Sequence, residues 1–258
     1  MSSLHAQYLN EIQSEQGKLL PRTDTLFTET DVCFLPIPVQ RYFRSCGYIG
    51  TKKLMFGQIR WKNVQMRLSP RGHWKKMRCS EFLAAPEPMR IAHMKTKVGG
   101  LLCLEAKDQY NGGHGNILVR LAGMITLQDA KGEEMDASGL LTVLSECLLL
   151  PACALQLYIR WEAINRNMAA AVIRFRDTEV RGVFYFNDRD EFIRFETEDR
   201  WKAGKPGEFT KVKWMVTAGD YIEENGMRKP GRVTAAWVEA GKIMEYFKGE
   251  IEGICSDI

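Results

Sequence analysis

Apolar residues recur at helical spacing in three places and at alternate positions almost everywhere else. Leu4, Tyr8, Leu9 and Ile12 share one face of the stretch 3–20, which predicts an amphipathic helix ending near Gly17, with Pro21 opening a linker. Pro36 and Pro38 preset a helical entry, and Val39, Tyr42 and Phe43 share a face. A short second helix is therefore expected over Pro38–Ser45, closed by Gly47 and Gly50. The third helix is internal. Leu140, Leu141, Leu144 and Leu148 recur at three- and four-residue steps behind Ser138, a capping residue type, and Pro151 stops the run.

Elsewhere the period is two. Ile59 and Trp61 begin it, and Val64, Met66 and Leu68 continue on the opposite parity, so a bulge is expected at Lys62-Asn63. Strands are expected near 73–83, 89–97 and 100–107, followed by a glycine-rich turn at 111–115. Ile117, Val119, Leu121, Gly123, Ile125 and Leu127 read as one long strand that a turn at 129–132 closes. Leu155 to Ala163 alternates in the same way, as do 169–175, 180–186, 193–195, 212–216, 233–237 and 243–247. So many strands at hairpin spacing exclude a parallel βαβ design. The expected fold is mainly β (α+β), with helices at the N-terminus. Its large antiparallel sheet either curls as an open half-barrel around the internal helix or splits into two packed layers. Residues 1–32 read as an N-terminal helix and linker, and 33–258 as a single β-rich domain.

Composition narrows the class. The chain has 258 residues, 45% apolar and 26% charged, which supports a substantial core and excludes disorder. Net charge is only +4, yet Arg44 to Arg78 holds ten basic residues and no acid, while 108–258 holds 19 basic against 24 acidic residues. Such a dipolar chain can attract phosphates, nucleic acid or an anionic membrane. Arg60, Lys62, Arg67, Lys75 and Lys76 are the side chains expected to dock weakly and reversibly on anionic headgroups. Trp61 and Trp74 in the same span offer stacking to single-stranded nucleic acid, but no RNA or DNA recognition motif accompanies them. Seven scattered cysteines form no Cys-x-x-Cys pair, and the first residues carry no basic-then-apolar leader pattern. Reduced thiols and a cytoplasmic location are the expectation.

Motifs for known chemistries are missing. His5, His73, His93 and His114 are dispersed without ligand spacing, so neither a metal nor a cofactor is expected. Gly112-Gly113-His114-Gly115 lacks the Gly-Lys-Ser/Thr ending of a phosphate loop, and no Gly-x-Ser-x-Gly elbow exists. Glu146 stands out instead, because a carboxylate near the end of an apolar helix opposes the helix dipole and calls for a partner. Arg200, among Glu196, Glu198 and Asp199, is a candidate bidentate donor. The leading expectation is a noncatalytic protein that encloses an apolar small molecule or lipid. Trp161, Trp237 and Leu144 would form its walls, with Glu146 or Arg200 fixing a polar head. The alternatives are an enzyme using Glu146, Asp108 and Tyr110 as acid–base groups in the cavity, or a nucleic-acid-binding module built on 44–78.

Several short motifs occur in a telling order: Leu35-Pro36-Ile37-Pro38-Val39-Gln40-Arg41-Tyr42, Asp108-x-Tyr110 before the glycine turn, and Gly139-Leu140 leading to Leu144-Ser145-Glu146 and Pro151. Trp161-Glu162-Ala163-Ile164, Tyr221, Gly226, Lys229-Pro230 and Trp237 follow. In this the chain resembles the uncharacterised bacterial family labelled domain of unknown function 6544 over about 33–252. The resemblance implies a shared polar and aromatic cluster of Asp108, Tyr110, Glu146, Trp161 and Arg200, and supplies no reaction. Thr142 and Val143 stand where that family usually shows Arg-Tyr. In outline the expected fold is also similar to lipoprotein-carrier half-barrels, which hold acyl chains.

Overall fold

The computed structural model describes residues 3–18, 25–69, 72–204 and 207–255. Three helices come first: α1 (Leu4–Lys18), α2 (Glu29–Val32) and α3 (Ile37–Ser45). Seven strands follow: β1 (Phe56–Met66), β2 (Lys75–Lys76), β3 (Arg78–Ala84), β4 (Met89–Val98), β5 (Leu102–Asn111), β6 (His114–Leu121) and β7 (Ile125–Lys131). Helix α4 (Glu133–Glu146) and a 3-10 turn (Cys153–Leu155) lead into β8 (Ile159–Asn165), β9 (Met168–Phe175), β10 (Thr178–Phe186) and β11 (Phe192–Thr197). Two small hairpins, β12 (Trp201–Ala203) with β13 (Phe209–Lys211) and β15 (Ile222–Glu224) with β16 (Met227–Lys229), flank β14 (Lys213–Gly219). The chain closes with β17 (Arg232–Glu239) and the long β18 (Lys242–Cys255).

The large sheet runs β7-β6-β5-β4-β3-β1-β18-β17-β14-β11-β10-β9-β8, with β2 paired to β1 off that path. All of its pairings are antiparallel. Helix α4 packs against β4–β7 from one half and against β9, β10 and β12 from the other, so the sheet is a half-barrel curled around it. The two-layer alternative does not form. Leu140, Leu141, Leu144 and Leu148 are fully buried there with Phe184, Phe195 and Ile173.

Neighbouring residues on a strand point to opposite faces. Arg90 faces α4, and Ile91 beside it packs on the outer face with Tyr8, Ile12, Phe56 and Phe82. Helix α1 therefore covers the outside of the sheet, secured by a 2.5 Å contact between Glu11 and the buried Lys107.

The expected bulge is present: the β1–β18 register shifts between Lys62 and Gln65, and Asn63 takes φ 52°. Three expectations are corrected. The long strand over 117–127 is a hairpin, because Ala122 and Gly123 adopt φ 52° and 72° and turn the chain. The internal helix starts at Glu133 behind Gly132, not at Ser138. Glu133, Glu134 and Asp136 complement its N-terminal dipole, and Ser138 Oγ accepts the Trp201 N–H instead. It ends at Glu146, and the chain continues through turns to Pro151, which disfavours helix in the residue before it. Residues 155–158 belong to those turns and not to the following strand.

Glycine permits one close approach that seats α4. An added Cβ at Gly115 on β6 would lie 1.9 Å from the Met135 carbonyl oxygen, and the Gly115 N–H donates to Asp136 Oδ1 at 2.7 Å.

Candidate functional site

The turn between β4 and β5 fixes a register in which Arg90 lies opposite Tyr110, and Asp108 opposite Ala92. On the other side of β4, Leu83 lies opposite Arg90, which brings Glu81 of β3 alongside. Three carboxyls meet this guanidinium. Its Nε lies 2.5 Å from Glu81 Oε1 and 2.9 Å from Glu146 Oε2, and one Nη lies 2.8 Å from Asp108 Oδ2. The Trp61 indole N–H donates to the other Glu81 oxygen at 2.8 Å.

One cation faces three carboxyls, an excess of acidic groups that favours a proton on one of them. Burial pushes the Glu146 carboxyl well above its ordinary range against the pull of Arg90, and the neighbouring Glu81 pushes it further. The protonated form of Glu146 is favoured, and it hydrogen-bonds to Glu81. The partner that a carboxyl at this helix end calls for is Arg90.

The cluster borders a cavity of about 90 Å³ that Arg200, Trp214 and Tyr246 also line. Arg200 donates to the Ser138 carbonyl at 2.9 Å and to Thr142 Oγ1 at 2.6 Å, and its guanidinium lies 4.1 Å from the Trp214 ring centre. Tyr246 accepts the Trp214 indole N–H at 3.0 Å. Such a volume holds a few waters and no organic substrate.

Asp108, Glu146 and Arg200 thus share one small cavity. The other expected site residues lie elsewhere. Tyr110 is fully buried against Gly139, its hydroxyl has no hydrogen-bond partner among the described residues, and burial raises its pKa. The three acid–base candidates therefore do not converge. Leu144 is core, and Trp161 donates to the Ala154 carbonyl while its ring packs 4.9 Å from Phe184. Trp237 stacks on Tyr246 at 5.7 Å beside a separate cavity of about 280 Å³ that Arg67 and Lys202 also line. Among the described residues no group of three or more His, Cys, Asp or Glu is arranged to hold a metal ion.

A larger cavity lies at the far end of β1 and β18. Strand β17 pairs with β18 only as far as Arg232 opposite Glu250, with one more bond from the Ile251 N–H to the Gly231 carbonyl. Beyond it, Gly253 to Cys255 stay paired to β1 alone, among the described residues, and the wall is open. The β15–β16 hairpin stands across that gap, tied down by the Arg228 N–H to the Cys46 carbonyl. Gly47 admits it at φ 74°, where a Cβ would lie 2.3 Å from the Gly226 carbonyl oxygen. The cavity so formed measures about 430 Å³. Phe27, Leu54, Leu150, Met227 and Ile254 give it apolar walls, and Lys52, Arg60 and Lys229 bring cations to it. Lys229 pairs with Glu224 and holds that carboxyl below its ordinary range, with Arg60 adding to the effect. Leu149 borders both this cavity and the small polar one.

The basic residues of the 44–78 span are divided by the fold. Arg60 lines the large cavity, and Lys62 lies 3.9 Å from Glu250. Arg67, Lys75 and Lys76 sit at the other end of β1, where Met66 pairs with Lys75 and Gln65 with Lys76. Arg71 lies outside the described residues.

Residues 25–249 match the family of unknown function DUF6544. The chain belongs to this family. No curated protein matches the sequence. Among solved structures, the DUF6544 chain is similar to a LolA superfamily protein of Nitrosomonas europaea at 13% identity and TM-score 0.45, covering 85% of this chain and 94% of that one. It is also similar to a domain described as an outer membrane lipoprotein-sorting protein of Vibrio parahaemolyticus, at 7% identity and TM-score 0.41, covering 84% and 90%. Likeness at that level says nothing of ligand or activity.

The residues that the sequence did not single out are Glu81, Arg90, Trp214 and Tyr246 around the polar cluster, and the lining of the larger cavity apart from Arg60, Pro151 and Lys229. Arg90 carried one signal: the Gly99-Gly100 turn places it one step diagonally from Asp108. The larger cavity carried none, since its lining is drawn from five separate parts of the chain.

Proposed function

We propose that this protein is a noncatalytic binding protein for a small apolar molecule or a single lipid chain, held in the 430 Å³ cavity between the end of β18 and the β15–β16 hairpin. The observation that carries this reading is the cavity itself. Its size falls within the range of small-molecule sites, its walls are apolar, and its charged groups are few and grouped, as binding pockets require. An apolar tail would pack on Leu54, Leu150 and Ile254, and an anionic head would meet Arg60 and Lys52. The polar cluster around Arg90 plays a structural part in this reading. Its own cavity is too small for a substrate, and its three carboxyls are all in ion-pair contact with Arg90.

Titration with the fluorescent apolar probe N-phenyl-1-naphthylamine tests the proposal. The wild type is expected to bind one equivalent and enhance its emission. Met227→Trp, which fills the cavity from the hairpin side, is expected to weaken binding at least about tenfold. Equal binding by the two proteins would refute this location.

A further inference from the structure

Three connections lie at the end of the sheet away from the large cavity: β1 to β2, of which 67–69 and 72–74 are described, β4 to β5 (99–101) and β6 to β7 (122–124). Registry places them together. Val98 pairs with Leu102, Leu104 with Leu121, and Leu121 with Ile125, so the last two turns are adjacent hairpin tips about 10 Å apart. The Thr96 hydroxyl donates to the Lys76 carbonyl at 2.7 Å and brings the first connection level with them.

Each connection presents apolar side chains to solvent. Leu101 is 90% exposed and Met124 80%, with Leu68, Leu102 and Ile125 about half exposed. Turn chemistry does not require them: Gly99, Gly100 and Gly123 supply the positive φ, and any polar residue would serve at 101 and 124. Lys75, Lys76 and Lys97 stand beside these tips, and none of the three has a carboxylate partner among the described residues. Trp74 lies at the same rim between two cations, 4.6 Å from Arg67 and 4.4 Å from Lys248. Apolar tips, an indole and unpaired lysines at one level are what a bilayer interface accepts, with chains below and anionic headgroups above. A nucleic acid would use the lysines but not Leu101 or Met124.

We infer that this rim docks the protein on an anionic lipid bilayer, with Leu101 and Met124 entering the acyl boundary and Lys75, Lys76 and Lys97 at the headgroups. Docking is separate from the apolar cavity, since Arg60 lies eight residues along the chain from Leu68, roughly 25 Å on an extended strand.

Flotation with phosphatidylcholine vesicles containing 30% phosphatidylglycerol, at low and high salt, tests the inference. The wild type is expected to float with these vesicles at low salt and not with pure phosphatidylcholine. Each near-surface lysine contributes about fivefold in affinity, so Lys75→Gln/Lys97→Gln is expected to lose on the order of 20-fold. Leu101→Glu/Met124→Glu is expected to abolish flotation while its melting temperature and its binding of N-phenyl-1-naphthylamine stay at wild-type values. Absence of flotation at low salt, unchanged flotation of Leu101→Glu/Met124→Glu, or tighter binding to single-stranded RNA than to the vesicles would each overturn the inference. Probe binding reads the cavity proposal independently in the same samples.

Discussion

Arg90→Met is expected to destabilise the protein by about 3–5 kcal/mol. The guanidinium is the shared partner of Glu81, Asp108 and Glu146, and its side chain is only 12% exposed. Methionine fills similar volume, so the loss comes from stranding carboxyls in the interior and not from a cavity. Denaturant unfolding should show a lower midpoint with an unchanged slope. Adding Glu81→Gln, Asp108→Asn and Glu146→Gln in the same chain should recover most of the loss, because a neutral set no longer needs the cation. A midpoint for Arg90→Met within about 0.5 kcal/mol of wild type would show that the cluster is not the electrostatic unit described.

Glu146→Gln is expected to remove a pH dependence. The folded-state pKa of Glu146 lies well above its ordinary 4.5, so the native protein retains a proton that the unfolded chain releases. This contribution to stability is fully present below pH 4.5 and is lost as pH rises from 4.5 through the raised value, at up to about 1.4 kcal/mol per unit. The glutamine amide can donate to Glu81 and accept from Arg90 as the protonated acid does. The variant should match the wild type at the acid end of that window and exceed it at the alkaline end. Parallel stability profiles for the two proteins would mean that Glu146 is ionised in the fold.

Much of the fold was legible because the sheet's inner and outer faces impose a period of two on the sequence, while α4 lies inside the curl. The errors share a cause. Gly123 continues the alternation of Ile117 to Leu127 in sequence yet sits at φ 72°, and no periodicity count separates a strand glycine from a turn glycine. Likewise Leu155 and Leu157 alternate without being strand, and Leu157 is fully exposed.

The site was less legible. Glu146 and Arg200 drew attention as charges in unusual company and Asp108 as an acid–base candidate within a family motif, and they do face one cavity. Their common partner Arg90 was hidden by register, since a one-residue slip in β4–β5 would turn it to the other face. Trp161 looks like a pocket wall in sequence, but an indole on an inward position fills core as readily as it lines a space, and Trp237 lines a cavity apart from Glu146 and Leu144. The larger cavity arises from an absence of pairing beyond Ile251, which no residue type announces.

Native mass spectrometry reads occupancy of the 430 Å³ cavity directly. The protein, stripped of bound lipid by organic extraction and refolded, is offered a mixture of saturated fatty acids and ionised without detergent. A single-ligand adduct is expected on the wild type and none on Met227→Trp. A wild type that stays bare in excess fatty acid, or an adduct that Met227→Trp retains in full, would contradict binding in this cavity.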